Sequence, residues 1–459
     1  MVTVSRGIPD LRDHPVIAIM VGFAVLAAIA VPSLLLFAQP SDGPAGSDRV
    51  EASAPPEPRP GDQSDAEGDL TVGAAQPVGD VASDVVSQDE AFPGYRAQLL
   101  TMAAQVDESA PVGDDEDAAG TDRDEDGQTD AEAAASGWVE VYALTPEDAP
   151  ERKQGEPPTQ QQIGILGRTA EGGVRTRQIV GEDLERDQPQ QIVAASYDAG
   201  AVVWQETPST DAGSLPFVMY AWSTSSGETV ELSRSEQVDG ADAPPVPGFT
   251  GPVLRGGVVI WSQVAGSSAG SQRTDVLGCQ IEDCRPGVVR QDAAYPTGGP
   301  AGFAVLARGS QNGRVALVEI DGDLEPVGEP RQLPASVGTV TGFAGSEAGY
   351  VLLEAPRGEP TRAVLFESAD DAEPRVVVGP PAGGFVYAVA DLRLMAWGFA
   401  GAAQEPVGGY AFDRATGQLM SLGDTSSRYG VAVAQGRVAY QVAEEAPDGL
   451  PGQRVALLP

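Results

Sequence analysis

Histidine, lysine and asparagine each occur once in the 459 residues, as His14, Lys153 and Asn312, and there are only two cysteines. These scarcities remove most familiar catalytic machinery. Gly266, Ser268 and Gly270 satisfy the G-x-S-x-G spacing, but the sole histidine lies far away ahead of an apolar run, so Ser268 has no imidazole base and reads as part of a Ser/Gly loop between strands. Zinc sites built from histidine and cysteine fail for the same reason. Schiff-base chemistry would have to use Lys153, which sits in a polar loop. No GKS/GKT phosphate loop, dinucleotide G-x-G-x-x-G motif or S-x-D-x-G-x-x-W box is present. Positive charge is also short. With 28 bases against 67 acids the net charge is -39, which excludes nucleic acid as a partner, because such binding rests on neutralising phosphates.

What is present points elsewhere. The chain is 41% hydrophobic, too apolar to be disordered throughout, and its 56 glycines and 38 prolines are too many for a helical bundle. Residues 15–38 carry no charge; as a helix these 24 residues would measure about 36 Å, enough to cross a bilayer core. Arg6, Arg12 and His14 precede the run and Asp42 and Asp48 follow it, an asymmetry that places residues 1–14 in the cytoplasm and the remainder outside. The run exceeds the usual apolar region of a signal peptide, so a single-pass anchor is the expectation.

Residues 39–137 hold 24 acids and 4 bases and too few apolar side chains for a core, which predicts a disordered acidic tether. Within it, Tyr95, Leu99, Met102 and Val106 recur at helical spacing and predict a short helix near 95–106. Further on, Asp122, Asp124, Asp126, Asp130 and Glu132 fall at positions 1, 3, 5, 9 and 11 of a loop that has Gly127 at position 6. This resembles the DxDxDGxxDxE calcium repeats of extracellular bacterial and thrombospondin-type proteins over 12 residues. It departs from them where Ala133 replaces the last glutamate. The resemblance implies a weak calcium site.

From Trp138 to the last residue a strand-like run rich in branched and aromatic residues recurs, at Trp138, Val202, Val258, Phe303, Tyr350, Leu394 and Val438, with the later spacings at 45, 47, 44 and 44 residues. A second run follows each, and Asn312-Gly313, Ser226-Gly227 and Thr416-Gly417 supply hairpin turns. Four short antiparallel strands in about 45 residues is the signature of a propeller blade. The segments Tyr410–Leu422 and Tyr220–Leu232 resemble the TolB-like and quinoprotein-like repeats of bacterial propellers. The fold expected for 138–459 is therefore an all-β propeller of seven four-stranded blades, with six or eight as alternatives. Its first repeat lacks an innermost strand and its last an outermost one. Trp204, Trp261 and Trp397 take equivalent places and are expected between blades.

Alternation of strand direction puts the long connections on one rim. These carry Glu147, Asp148, Arg152 and Lys153 in one loop and Glu182, Asp183, Arg186 and Asp187 in another. Cys279 and Cys284 bracket a tight turn in an outward-facing domain and are expected to form a disulfide. The function expected is a membrane-anchored, extracytoplasmic binding or assembly module for an envelope protein or glycan. The alternatives are a carboxylate-dependent glycan-cleaving enzyme, for which 41 acids in 138–459 single out no pair, and an accessory subunit of a sensor or transporter.

Overall fold

The computed structural model describes residues 70–77, 91–105 and 137–457, the last less several short loop stretches. The expected anchor at 15–38, most of the expected tether and all five carboxylates of the calcium-like loop lie outside the described residues. Among the described residues no helix is long and apolar enough to cross a membrane.

The architecture is a ring of small antiparallel sheets, a β-propeller. Six sheets of four consecutive strands occupy 95–180, 191–234, 253–290, 293–332, 339–378 and 384–424, and a seventh, three-stranded sheet at 431–457 completes the circle. We number these blades 1 to 7. Each blade runs from an innermost strand to an outer one, and its second strand is the most deeply buried. Ala201–Thr207 of blade 2 and Leu394–Ala400 of blade 6 show why: branched and aromatic residues face both neighbouring blades, so both sides of the strand are covered.

The hydrophobic clusters establish the closure. Each of seven clusters joins one adjacent pair of blades. Val139, Val141, Val202 and Trp204 join blades 1 and 2, and Val203 and Met219 meet Val259 and Trp261 between blades 2 and 3. Similar clusters follow around the ring, until Leu99, Trp138 and Tyr142 meet Ala432, Ala434 and Ala439 between blades 1 and 7. No blade can bury both faces alone, so the core exists only as the stack. Trp204, Trp261 and Trp397 are fully buried between blades, as their repeat positions implied.

Four expectations need correction: the helix near 95–106, the start of the propeller at 138, the missing innermost strand of its first repeat, and the spacer running to 137. Tyr95–Ala104 is not a helix but the innermost strand of blade 1, paired antiparallel with Trp138–Pro146. Its helix-like spacing arises from a bulge between Leu99 and Thr101, which inserts one residue and shifts the alternation of buried positions. The propeller therefore begins well before residue 138, and its first blade has its innermost strand. The acidic stretch 106–136 is accordingly not a spacer ahead of the propeller. It connects two adjacent strands of blade 1, leaving at Gln105 and returning at Gly137, whose carbonyl accepts from the Gln105 N–H at 3.1 Å.

Ahead of blade 1, Leu70–Thr71 adds a parallel strand to the outer edge of blade 5, and Gln76–Pro77 does the same at blade 6. Leu70, Val72 and Ala75 pack on the cluster between these blades, so this segment straps them together. The disulfide joins Cys279 and Cys284 at the turn before the outermost strand of blade 3, where Cys279 belongs to the core shared with blade 2.

Candidate functional site

The two rims differ in construction. On the first, the turns between innermost and second strands are short: Ala199-Gly200, Gly256-Gly257 and Gln435-Gly436 each have both residues at positive φ, the type I′ geometry of two-residue hairpins. Polar contacts then lock these turns blade to blade. Asp198 of blade 2 accepts from Gly256 N of blade 3 at 2.6 Å. The Arg255 guanidinium donates to the Gly299 and Gly302 carbonyls of blade 4 and to Glu347 of blade 5. Asp391 of blade 6 accepts from Gly436 N of blade 7 at 3.0 Å, and Arg437 of blade 7 donates to the Ala170 carbonyl of blade 1 at 2.9 Å. Burial raises the carboxyl pKa of Asp391, against the backbone N–H groups that favour its ionised form. This rim is occupied by its own structure, except where 106–136 leaves it.

The opposite rim carries the long connections. Glu147, Asp148, Glu182, Asp183 and Asp187 are exposed there. Arg152 and Lys153 lie outside the described residues. Arg186 is not a surface charge: it is buried and forms a two-pronged pair with Glu206, which also accepts from the Trp204 indole N–H at 2.7 Å. Over blade 3 this rim is raised by a long hairpin, Val258–Ser268 with Ser271–Gln280, in which Ser268 faces Ser271. The G-x-S-x-G segment is thus the tip of a ladder rather than a loop. A small hairpin at 237–242 packs beside it through Val238, Ala243, Val246 and Val264.

Along the axis lies a cavity of about 390 Å³ to which all seven innermost strands or their leading loops contribute. Its wall is shaped by bulges at corresponding places in five blades, whose extra residues are Leu100, Val193, the Tyr295-Pro296 pair, Thr341 and Tyr387. Several of these hand a hydrogen bond onward: Tyr295 Oη to the Val340 carbonyl at 3.2 Å, Thr341 Oγ1 to the Phe385 carbonyl at 2.8 Å, and Tyr387 Oη to the Leu100 carbonyl at 3.3 Å. The last contact reaches from blade 6 past blade 7 to blade 1. Tyr295 and Tyr387 have φ of 57° and 51°, a region that bulky side chains rarely adopt. Close approach near the axis also requires glycine: a Cβ on Gly345 would come within 2.6 Å of the Gly298 carbonyl oxygen.

Among the described residues no Asp, Glu, Lys, Arg or His lines this cavity. A pair of inward-facing carboxylates, the arrangement glycan cleavage needs, is therefore not found in its described wall. Nor do the described residues bring together three or more His, Cys, Asp or Glu side chains at metal-binding separation. Nothing in the strand periodicity signalled the cavity wall. The extra residue at Tyr387 shows only in the strand pairing, where Val386 and Ala388 face the successive residues Gly398 and Trp397.

The phenol of Tyr387 is pushed up to about 12 by burial, and those of Tyr295 and Tyr350 are raised further, burial again the largest cause. A raised phenol pKa means that the folded state keeps its proton where the unfolded chain loses it. The associated stability is complete below the ordinary phenol value of about 10 and is lost as pH rises through the folded value. In an ultraviolet titration the exposed tyrosines should ionise first and the buried ones in a late, cooperative phase coinciding with loss of the β circular-dichroism signal. One smooth titration near the ordinary value, with the fold intact, would contradict these assignments.

No protein-family model matches the chain, and no curated protein sequence matches it. Solved β-propellers resemble it at low identity. TolB from Acinetobacter baumannii has 11% identity and a TM-score of 0.36, covering 66% of this chain and 77% of its own. The propeller domain of the Trilobed protease from Pyrococcus furiosus has 10% and 0.40, covering 69% and 91%. Apo AztD from Citrobacter koseri has 12% and 0.37, covering 66% and 86%.

Proposed function

We propose that this chain is a binding module of the cell envelope, held at the membrane by residues 15–38 with its propeller outside, and that it recognises an envelope protein or glycan through the rim of long connections. The observation that carries this reading is the contrast between the rims. One is consumed by turn-to-turn locks, whereas the other presents long loops, exposed acids and a raised hairpin on a rigid scaffold, the usual arrangement for recognition. The disulfide fits an oxidising compartment. The segment 122–132, within the connection between the first two strands of blade 1, is proposed as an accessory calcium site.

The test uses the full-length chain in intact cells. Protease added outside should release the propeller, and cross-links to partners should fall on 147–161, 181–190 and 235–252. A propeller inaccessible from outside, or cross-links confined to the short turns of the locked rim, would defeat the proposal.

A further inference from the structure

We propose that the outer edges of blades 5 and 6 form a strand-addition site for an extended, apolar segment of a partner protein, and that Leu70–Pro77 of this chain is its resident, displaceable occupant. This surface lies on the side of the propeller, away from both rims, and does not depend on the rim reading above.

The groove accepts an extended segment because one already lies in it. Leu70 and Thr71 pair in parallel with Val377 and Val378 of blade 5, a short helical turn at Val72–Ala74 follows, and Gln76 and Pro77 pair in parallel with Met420 and Ser421 of blade 6. Backbone pairing of this kind supplies affinity. The side chains of Leu70, Val72 and Ala75 supply the register by packing on the cluster that holds Val377, Phe412 and Leu419.

The strap is held loosely. Blades 2, 3 and 4 have no fifth strand among the described residues, so a blade does not require one. Phe385 and Trp397 beneath the strap are fully buried, whereas Leu70, Val72 and Ala75 are only half-buried and Gly73 is exposed. Parallel pairing is also slightly weaker per residue than antiparallel pairing. Among the described residues the strap pairs with two of the four residues of Arg375–Val378 and two of the seven of Gln418–Asp424. Pro77 has no N–H to give to the ladder where it ends. A segment without that proline can continue along blade 6 and compete with a strap whose advantage is its attachment to the same chain.

The occupant's chemistry follows from what the strap covers. Among the described residues, Val174, Val230, Val288 and Val327 are exposed, one on the outer strand of each of blades 1 to 4, and no large apolar side chain is exposed on the outer strands of blades 5 and 6. Departure of the strap therefore opens an apolar patch that an incoming segment refills. Arg375 lies over the Phe412 ring at 5.7 Å beside this patch, which disfavours a basic segment.

The test is fluorescence anisotropy of the full-length chain in detergent, with a labelled synthetic peptide of residues 68–79 as the probe. A variant carrying Leu70→Ser and Val72→Ser should keep its β circular-dichroism signal and a cooperative melt. It should bind the peptide at least about 10-fold more tightly than the parent, the factor that follows if the strap fills the site in about nine-tenths of parent molecules. The same peptide with aspartate at both positions should bind neither chain. In hydrogen exchange of the parent, amides of 70–77 should exchange faster than those of Arg362–Glu367, which is paired on both sides. An unfolded variant, equal affinity of the two chains, binding by neither, equal binding of the aspartate peptide, or equal protection of the strap and Arg362–Glu367 would each overturn the proposal.

Discussion

Replacing Glu140 by alanine should destabilise the propeller by about 3–5 kcal/mol, among the largest effects of any single substitution outside the tryptophans. Glu140 is fully buried in the second strand of blade 1. Its carboxylate accepts from the Trp138 indole at 2.8 Å, the Tyr142 hydroxyl at 2.5 Å and the Arg168 guanidinium at 2.8 Å. Arg168 is itself only 2% exposed, so removal of its partner leaves a cation in the core without a counter-charge. The same reasoning predicts strong non-additivity. Because burying two ions already costs much of what their attraction returns, Glu140→Leu combined with Arg168→Leu should lose far less than Glu140→Ala alone. Denaturant melts of the single and double variants measure this. If Glu140→Ala costs under about 1 kcal/mol, the carboxylate is solvated and the assigned network is wrong.

Arg437→Ala should cost about 2–3 kcal/mol and should act at one place, the seam between blade 7 and blade 1. Blade 7 has three strands, and its innermost strand, Val431–Ala434, is only four residues long, so its own share of this interface is the small side chains of Ala432, Ala434 and Ala439, set against large side chains of blade 1. Arg437 compensates. Its guanidinium lies 4.6 Å from the centre of the Trp138 ring and donates to the Ala170 carbonyl across the seam. Burial lowers its pKa, opposed by the Glu171 carboxylate. Hydrogen exchange should therefore accelerate first in the strands of blade 7 and the first strand of blade 1, while blades 3 and 4 keep their protection. Uniform acceleration around the ring would mean that the seam is not its weak point.

The residues made parts of this fold legible and hid others for definable reasons. Tryptophans at 204, 261 and 397 announced a repeated, doubly covered strand, because a large aromatic flanked by branched residues has no other stable place in a sheet of this length. The two cysteines, five apart at a hairpin, could be paired from spacing alone. Tyr95–Ala104 was misread because a bulge converts an alternating pattern into a helical one, and because an acidic insertion separates the strand from its partner. Arg186 looked like a rim charge, since nothing local shows that Glu206, twenty residues on, folds back beneath it. The axial cavity was the least visible feature. Its wall is assembled from short segments of seven blades, and only closure of the ring brings them together.

Closure through Tyr95–Ala104 is the point on which the account turns, and hydrogen–deuterium exchange of the full-length chain tests it most directly. As the innermost strand of blade 1, that segment should exchange as slowly as the other innermost strands, Gln191–Asp198 and Thr339–Ser346. Full exchange of 95–104 within seconds, beside a protected remainder, would show that the ring is closed by something else.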